Sequence, residues 1–241
     1  MSGFENATPP LQGFAHLVAA PLIRERSEGE AVEALDELPY AAEREMLLGV
    51  LEQSKKWIRY RSDVAKAHTF VLHTSDCAVM HFTGHGTGGN LTFEDDYGRL
   101  CLITQEQLKK MFGNMQEYIP RVVFVSAEHA EKVAEAFVHA GVPHVVAASL
   151  PPRDGGAGAA EKYSRALEFA RRFYSELLGG GSVRDAFAAA ERCVSAAAAA
   201  AATAAATVNG GGGGEESPQD GEQFILLPRC GEGGNKAAEE Q

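Results

Sequence analysis

The feature that most constrains this chain is a series of short, almost unbroken apolar runs separated by stretches with helical spacing. HLVAAPLI (His16 to Ile23), CAVMHFT (Cys77 to Thr83), VVFVSA (Val122 to Ala127) and HVVAASL (His144 to Leu150) lack the alternation of a strand with one wet face. Strands of this kind are buried on both sides, so they belong to a mostly parallel sheet with helices packed above and below it. The intervening segments supply those helices. Tyr40 to Ser54 places Met46, Leu47, Val50 and Leu51 on one face, and Ala160 to Leu178 carries an apolar stripe through Leu167, Ala170, Phe173, Tyr174 and Leu177. Shorter helices are expected at Val64 to His73, Gln105 to Phe112 and Glu131 to Ala140, and a short strand at Ala31 to Leu35. Leu91 to Thr104 reads as two strands around an acidic, glycine-containing turn. The expected fold class is α/β: a three-layer sandwich with a mostly parallel central sheet of about six strands, helices on both faces and a β-hairpin insertion.

With 241 residues and 45% hydrophobic content, the chain can bury the core of one medium domain. The expected organisation is a disordered N-terminus over 1–14, the domain over 15–194, an Ala/Gly-rich low-complexity linker over 195–222, a last strand of the same domain over 223–228 and a disordered tail over 229–241. GlyGlyGly at 179–181 should end the long helix, with Ser182 capping the next. Trp57, the only tryptophan, opens an alternating run to Arg61 and is assigned a core role there. A net charge of −11, from 33 acidic and 22 basic residues, offers no footprint for a phosphate backbone, so nucleic acid is not an expected partner. Four cysteines without CxxC spacing point to a reducing compartment, and Cys77 and Cys101 fall in runs that read as buried strands. The N-terminus lacks a basic segment followed by an apolar one, and the apolar stretch from Ser195 to Val208 is shorter than the roughly 20 residues that span a bilayer. No membrane association is expected, and the expected location is cytoplasmic.

The strongest site signal is His81-Phe82-Thr83-Gly84-His85-Gly86-Thr87-Gly88-Gly89. In open parallel sheets the chemistry sits beyond the carboxyl ends of the strands, and His85 falls just past such an end. The flanking glycines allow close backbone approach and turn amide N–H groups toward developing negative charge. His81, four residues earlier, lies deeper in the strand and is read as a packing residue. His81, His85, Glu128 and His129 are the right residue types for a metal, but their spacing does not specify tetrahedral geometry, and no metal or cofactor is expected. Asp95 and Asp96 are weak candidates for receiving a basic peptide side chain; an acidic turn is more simply a solvated one.

The segment MHFTGHGTGGNLTFEDDYGRLCLITQEQL resembles the core of CHAT domains, relatives of caspases and separase, whose GHG histidine is half of a Cys-His dyad. The similarity extends over roughly residues 15–195, through AAPLI, LDELPYAAERE, FVSAEHAEKVAEAFVHAGVPHVVAA and FARRFYSELLGGGSVRDAFAAAERCV. It implies a caspase-like fold, with His85 as the general base and Gly86 as an oxyanion-hole amide. It also implies a cysteine after the strand VVFVSA, in a motif such as A-C-H-S. Here the text is Ala127-Glu128-His129-Ala130, so Glu128 stands at the nucleophile position. A thiol beside an imidazole becomes a thiolate that attacks a carbonyl and later leaves; a carboxylate does neither well with an amide. Loss of a nucleophile from such a unit removes on the order of 10⁶ in kcat. The resemblance therefore implies a catalytically inactive CHAT domain that binds protein or peptide. The alternatives are an active cysteine endopeptidase in which another thiol reaches His85, or a carboxylate-based or metal-assisted hydrolase. Oligomeric state is not specified by the sequence.

Overall fold

The computed structural model describes residues 12–19, 23–24, 33–34, 40–87, 90–113, 119–151, 159–208 and 223–228. In chain order the elements begin with β1 (Gln12–Ala19), β2 (Ile23–Arg24), β3 (Glu33–Ala34), α1 (Tyr40–Ser54), β4 (Ile58–Val64), α2 (Ala67–Thr74) and β5 (Val79–Gly84). Next come β6 (Gly86–Thr87), β7 (Asn90–Glu94), β8 (Leu100–Ile103), α3 (Gln105–Gly113), β9 (Val122–Ala127) and α4 (Ala130–His139). The chain closes with β10 (His144–Ser149), α5 (Ala159–Gly179), α6 (Val183–Val208) and β11 (Phe224–Leu227).

The main sheet has six strands in the order β11-β10-β9-β5-β1-β4. All neighbours run parallel except β10 and β11. This is the α/β sandwich expected from the unbroken apolar runs. From β1 the chain moves outward to β4, then crosses to the other side of β1 to form β5, so the strand order reverses between β1 and β5. One face of the sheet packs Leu17, Met80, Phe82, Val123 and Val125 against Phe70 of α2, Leu108 and Phe112 of α3, and Val133 and Phe137 of α4. The other packs Phe14, Phe124, Val146 and Ala148 against Met46, Leu47 and Val50 of α1 and the buried stripes of α5 and α6. The hairpin appears as β7 and β8, which with β6 form a separate three-stranded sheet.

Two glycines are demanded by geometry. A Cβ on Gly13 would come within 2.0 Å of the Asp76 carbonyl oxygen, so the start of β1 tolerates no side chain. Gly180 has φ +105 and terminates α5, after which the Ser182 hydroxyl accepts from the Asp185 amide at 3.2 Å to begin α6.

Several expectations are corrected. β1 begins at Gln12 and Phe14 is core, so the ordered domain reaches into the stretch assigned to a disordered N-terminus. Trp57 is 85% exposed, because it lies in the turn before β4 and not in the strand. Cys101 is exposed on β8, an edge strand of the small sheet, and Cys77 precedes β5. The helix expected at Val64 to His73 divides into the end of β4 and α2. The alanine tract continues α6 as helix to Val208, as alanine's high helix propensity favours. Residues 1–11, 209–222 and 229–241, including Cys230, lie outside the described residues. Among the described residues no helix is long and apolar enough to cross a membrane.

Candidate functional site

β5 and β9 are adjacent parallel strands, and their last registered pair is Gly84 with Ala127. The next residues on the two strands are His85 and Glu128. Neighbouring strands are about 4.8 Å apart, so both residues leave the sheet side by side at its carboxyl edge. His85 is 8% exposed, and its carbonyl accepts a 2.6 Å hydrogen bond from the Thr92 hydroxyl of β7, which ties the loop to the small sheet. Gly86 follows in β6, paired with Leu91.

Glu128 occupies a tight strand-to-helix turn. His129, next to it, has φ +51, a left-handed conformation unusual outside glycine, and α4 starts at Ala130. The carboxylate is half-buried at the positive end of that helix dipole. Ala130 is buried, so its position leaves little room for a solvated hydroxyl. His129 is exposed.

Both carboxylates of the acidic turn have partners. Asp95 accepts from the amides of Tyr97 at 2.8 Å and Arg99 at 2.9 Å, and from the Arg99 guanidinium at 2.6 Å. The Arg99 and Tyr97 amides and the Arg99 guanidinium hold its carboxyl below the usual range, against a smaller upward push from burial. Asp96 pairs with Lys66 at 3.0 Å. Asp95 therefore serves the turn itself, and Asp96 ties the turn to Lys66, the residue before α2.

None of the described cysteines stands at the dyad position. Cys77 precedes the amino end of β5 while His85 follows its carboxyl end, and a strand advances about 3.3 Å per residue, so β5 separates them by roughly 20 Å. Burial, with a smaller contribution from Asp76, pushes the Cys77 thiol up to about 12. Cys101 is on β8 and Cys193 on α6, where it contacts Glu168.

Beneath this edge lies a buried polar layer that the sequence reading missed. Glu43 of α1 is 3% exposed; Thr83 donates to its Oε2 at 2.6 Å and Ser126 donates to its Oε1 at 2.5 Å. Burial alone would raise the Glu43 carboxyl, but His81 and the two hydroxyls together bring it below its usual range. His16 and His81 lie in register on β1 and β5, both fully buried. His16 contacts the Tyr60 hydroxyl at 3.1 Å through Nδ1 and Thr83 at 3.2 Å through Nε2. His81 Nδ1 meets the Tyr174 hydroxyl at 2.9 Å, and its ring stacks on Phe124 at 4.9 Å. The packing role expected of His81 holds. The metal grouping considered for His81, His85, Glu128 and His129 does not form around His81, whose neighbours are instead Glu43 and His16. One sequence signal pointed at Glu43: it stands three, four and seven residues before Met46, Leu47 and Val50, in line with the apolar stripe.

No family model matches the chain, and no curated protein matches it. Among solved structures it is similar to the PfkB protein from Polaromonas sp. JS666, at 12% identity over 75% of this chain and 93% of that one. The TM-score of that likeness is 0.28, too low to carry an argument about site or activity.

Proposed function

We propose that the chain is a CHAT-type, caspase-like domain without peptidase activity, whose carboxyl-edge cleft binds a protein or peptide segment. One observation supports the reading: the last registered pair of β5 and β9 is Gly84 with Ala127, so Glu128 follows β9 level with His85, at the position where the resembled dyad would require a thiol. A carboxylate at the amino end of α4 is a comfortable anion but a poor amide nucleophile. His85 and the Gly86 backbone keep a polar floor suited to an extended peptide. The partner is a protein or peptide rather than nucleic acid, in keeping with the net charge of −11. The free thiols of Cys77, Cys101 and Cys193 fit a reducing, cytoplasmic setting.

The test uses the purified protein against a displayed peptide library. Enrichment of bound peptides without cleavage, lost on His85→Arg and unaffected by iodoacetamide, is the expected result. Cleavage abolished both by His85→Ala and by substitution of one cysteine would establish an active cysteine endopeptidase instead.

A further inference from the structure

We propose that His16, Glu43 and His81 form a buried binding site for a divalent transition-metal ion of the zinc class. One ligand atom from each residue lies within 4.8 Å of the other two, and all three residues are buried. The donor set, two imidazoles and a carboxylate, is one that zinc takes readily. His81 Nε2 is 3.8 Å from Glu43 Oε1. Donors bound to one tetrahedral zinc sit roughly 3.4 Å apart, given bond lengths near 2.0–2.1 Å. That pair is therefore a few tenths of an ångström from a binding separation.

The independent observation is the state of His81. Its Nε2 is buried and has no hydrogen-bond partner, and it is directed at the carboxylate from beyond hydrogen-bonding distance. Its Nδ1 is already held by the Tyr174 hydroxyl. If Nδ1 carries the proton and donates to that oxygen, Nε2 presents a bare lone pair toward Glu43. An outer hydrogen bond of this kind orients histidine on a metal. His16 likewise has a tyrosine hydroxyl, that of Tyr60, on its Nδ1, but its Nε2 meets the Thr83 hydroxyl at 3.2 Å, a contact that an ion would have to replace. Ser126 and Thr83 fix both oxygens of Glu43 in turn.

The ion would join α1 to β1 and β5 just below the edge that carries His85. Because all three ligands are buried, the ion would be structural and would not meet substrate. This proposal is independent of the CHAT reading.

The test uses untagged full-length protein stripped with EDTA. Zinc sulfate is supplied to the folded protein and, separately, during refolding from urea, because the ligands are enclosed. A single equivalent of zinc retained after desalting and a melting temperature raised by several degrees are expected. Cobalt(II) in place of zinc should give the visible absorption of a four- or five-coordinate ion. Glu43→Gln and His81→Gln should abolish retention, whereas His68→Gln, on the exposed face of α2, should leave it unchanged. Wild-type protein that folds yet retains no zinc and gives no cobalt spectrum after either procedure would overturn the site. So would retention that survives the Glu43→Gln, His81→Gln double change.

Discussion

Replacing Glu43 with leucine tests whether the buried polar layer is a connected unit. Thr83 and Ser126, 2% and 1% exposed, each donate to the carboxylate. Hydrogen bonds to a charged group are worth about 1.5–3 kcal/mol each, so their joint loss amounts to roughly 3–6 kcal/mol. Burying a leucine side chain returns about 1.5–3 kcal/mol, which leaves a net loss of roughly 2 kcal/mol. Ser126→Ala alone should be destabilising by about 1.5–3 kcal/mol, because it withdraws a donor from an ionised carboxylate. In the Glu43→Leu background the same change should be nearly neutral, since the stranded hydroxyl disappears. Urea denaturation in EDTA, with equal m-values across the four proteins, supplies the double-mutant cycle. A Glu43→Leu loss below about 1 kcal/mol, or strictly additive changes, would refute the reasoning.

Three further outcomes follow from the packing. Phe224→Ala should be destabilising by about 3–5 kcal/mol, because its ring stacks on Phe169 at a centroid distance of 4.0 Å; thermal or urea melts check this. Replacing 195–222 with a shorter flexible spacer should alter stability far less than Phe224→Ala, since closure entropy changes slowly with loop length; an equal loss in the same melts would show that the alanine helix packs productively. Cys77 should react with iodoacetamide only on unfolding, whereas exposed Cys101 reacts in the native protein, as peptide mapping by mass spectrometry will resolve.

How much was legible follows from what each residue depends on. β9 and α1 were read to their observed ends, since an unbroken apolar run and a four-residue stripe are local signals. The end of α5 and the start of α6 were legible because Gly180 and Ser182 act through their own backbone and hydroxyl. The expected pairing of His85 with Glu128 came from the family resemblance; the register shows only that the strands preceding them end level, at Gly84 and Ala127. Glu43 was not legible as part of a site. Its role depends on β1, α1, β5 and β9 converging, and no local pattern brings positions 16, 43, 81 and 126 together. Trp57 was misread because alternation over a few residues does not show where a turn ends and a strand begins. The helical state of the alanine tract was not read, because low complexity was weighed above helix propensity.

The central claim, that His85 faces position 128, is tested most directly by Glu128→Cys. At the amino end of α4 and beside an imidazole, the new thiol should form its thiolate readily. Its iodoacetamide reaction, followed by peptide mapping across pH, should be faster than that of Cys101 near neutrality. Adding His85→Ala should slow it several-fold and move its pH midpoint upward, leaving only the contribution of the helix. An alkylation rate and midpoint at position 128 unchanged by His85→Ala would contradict the claim.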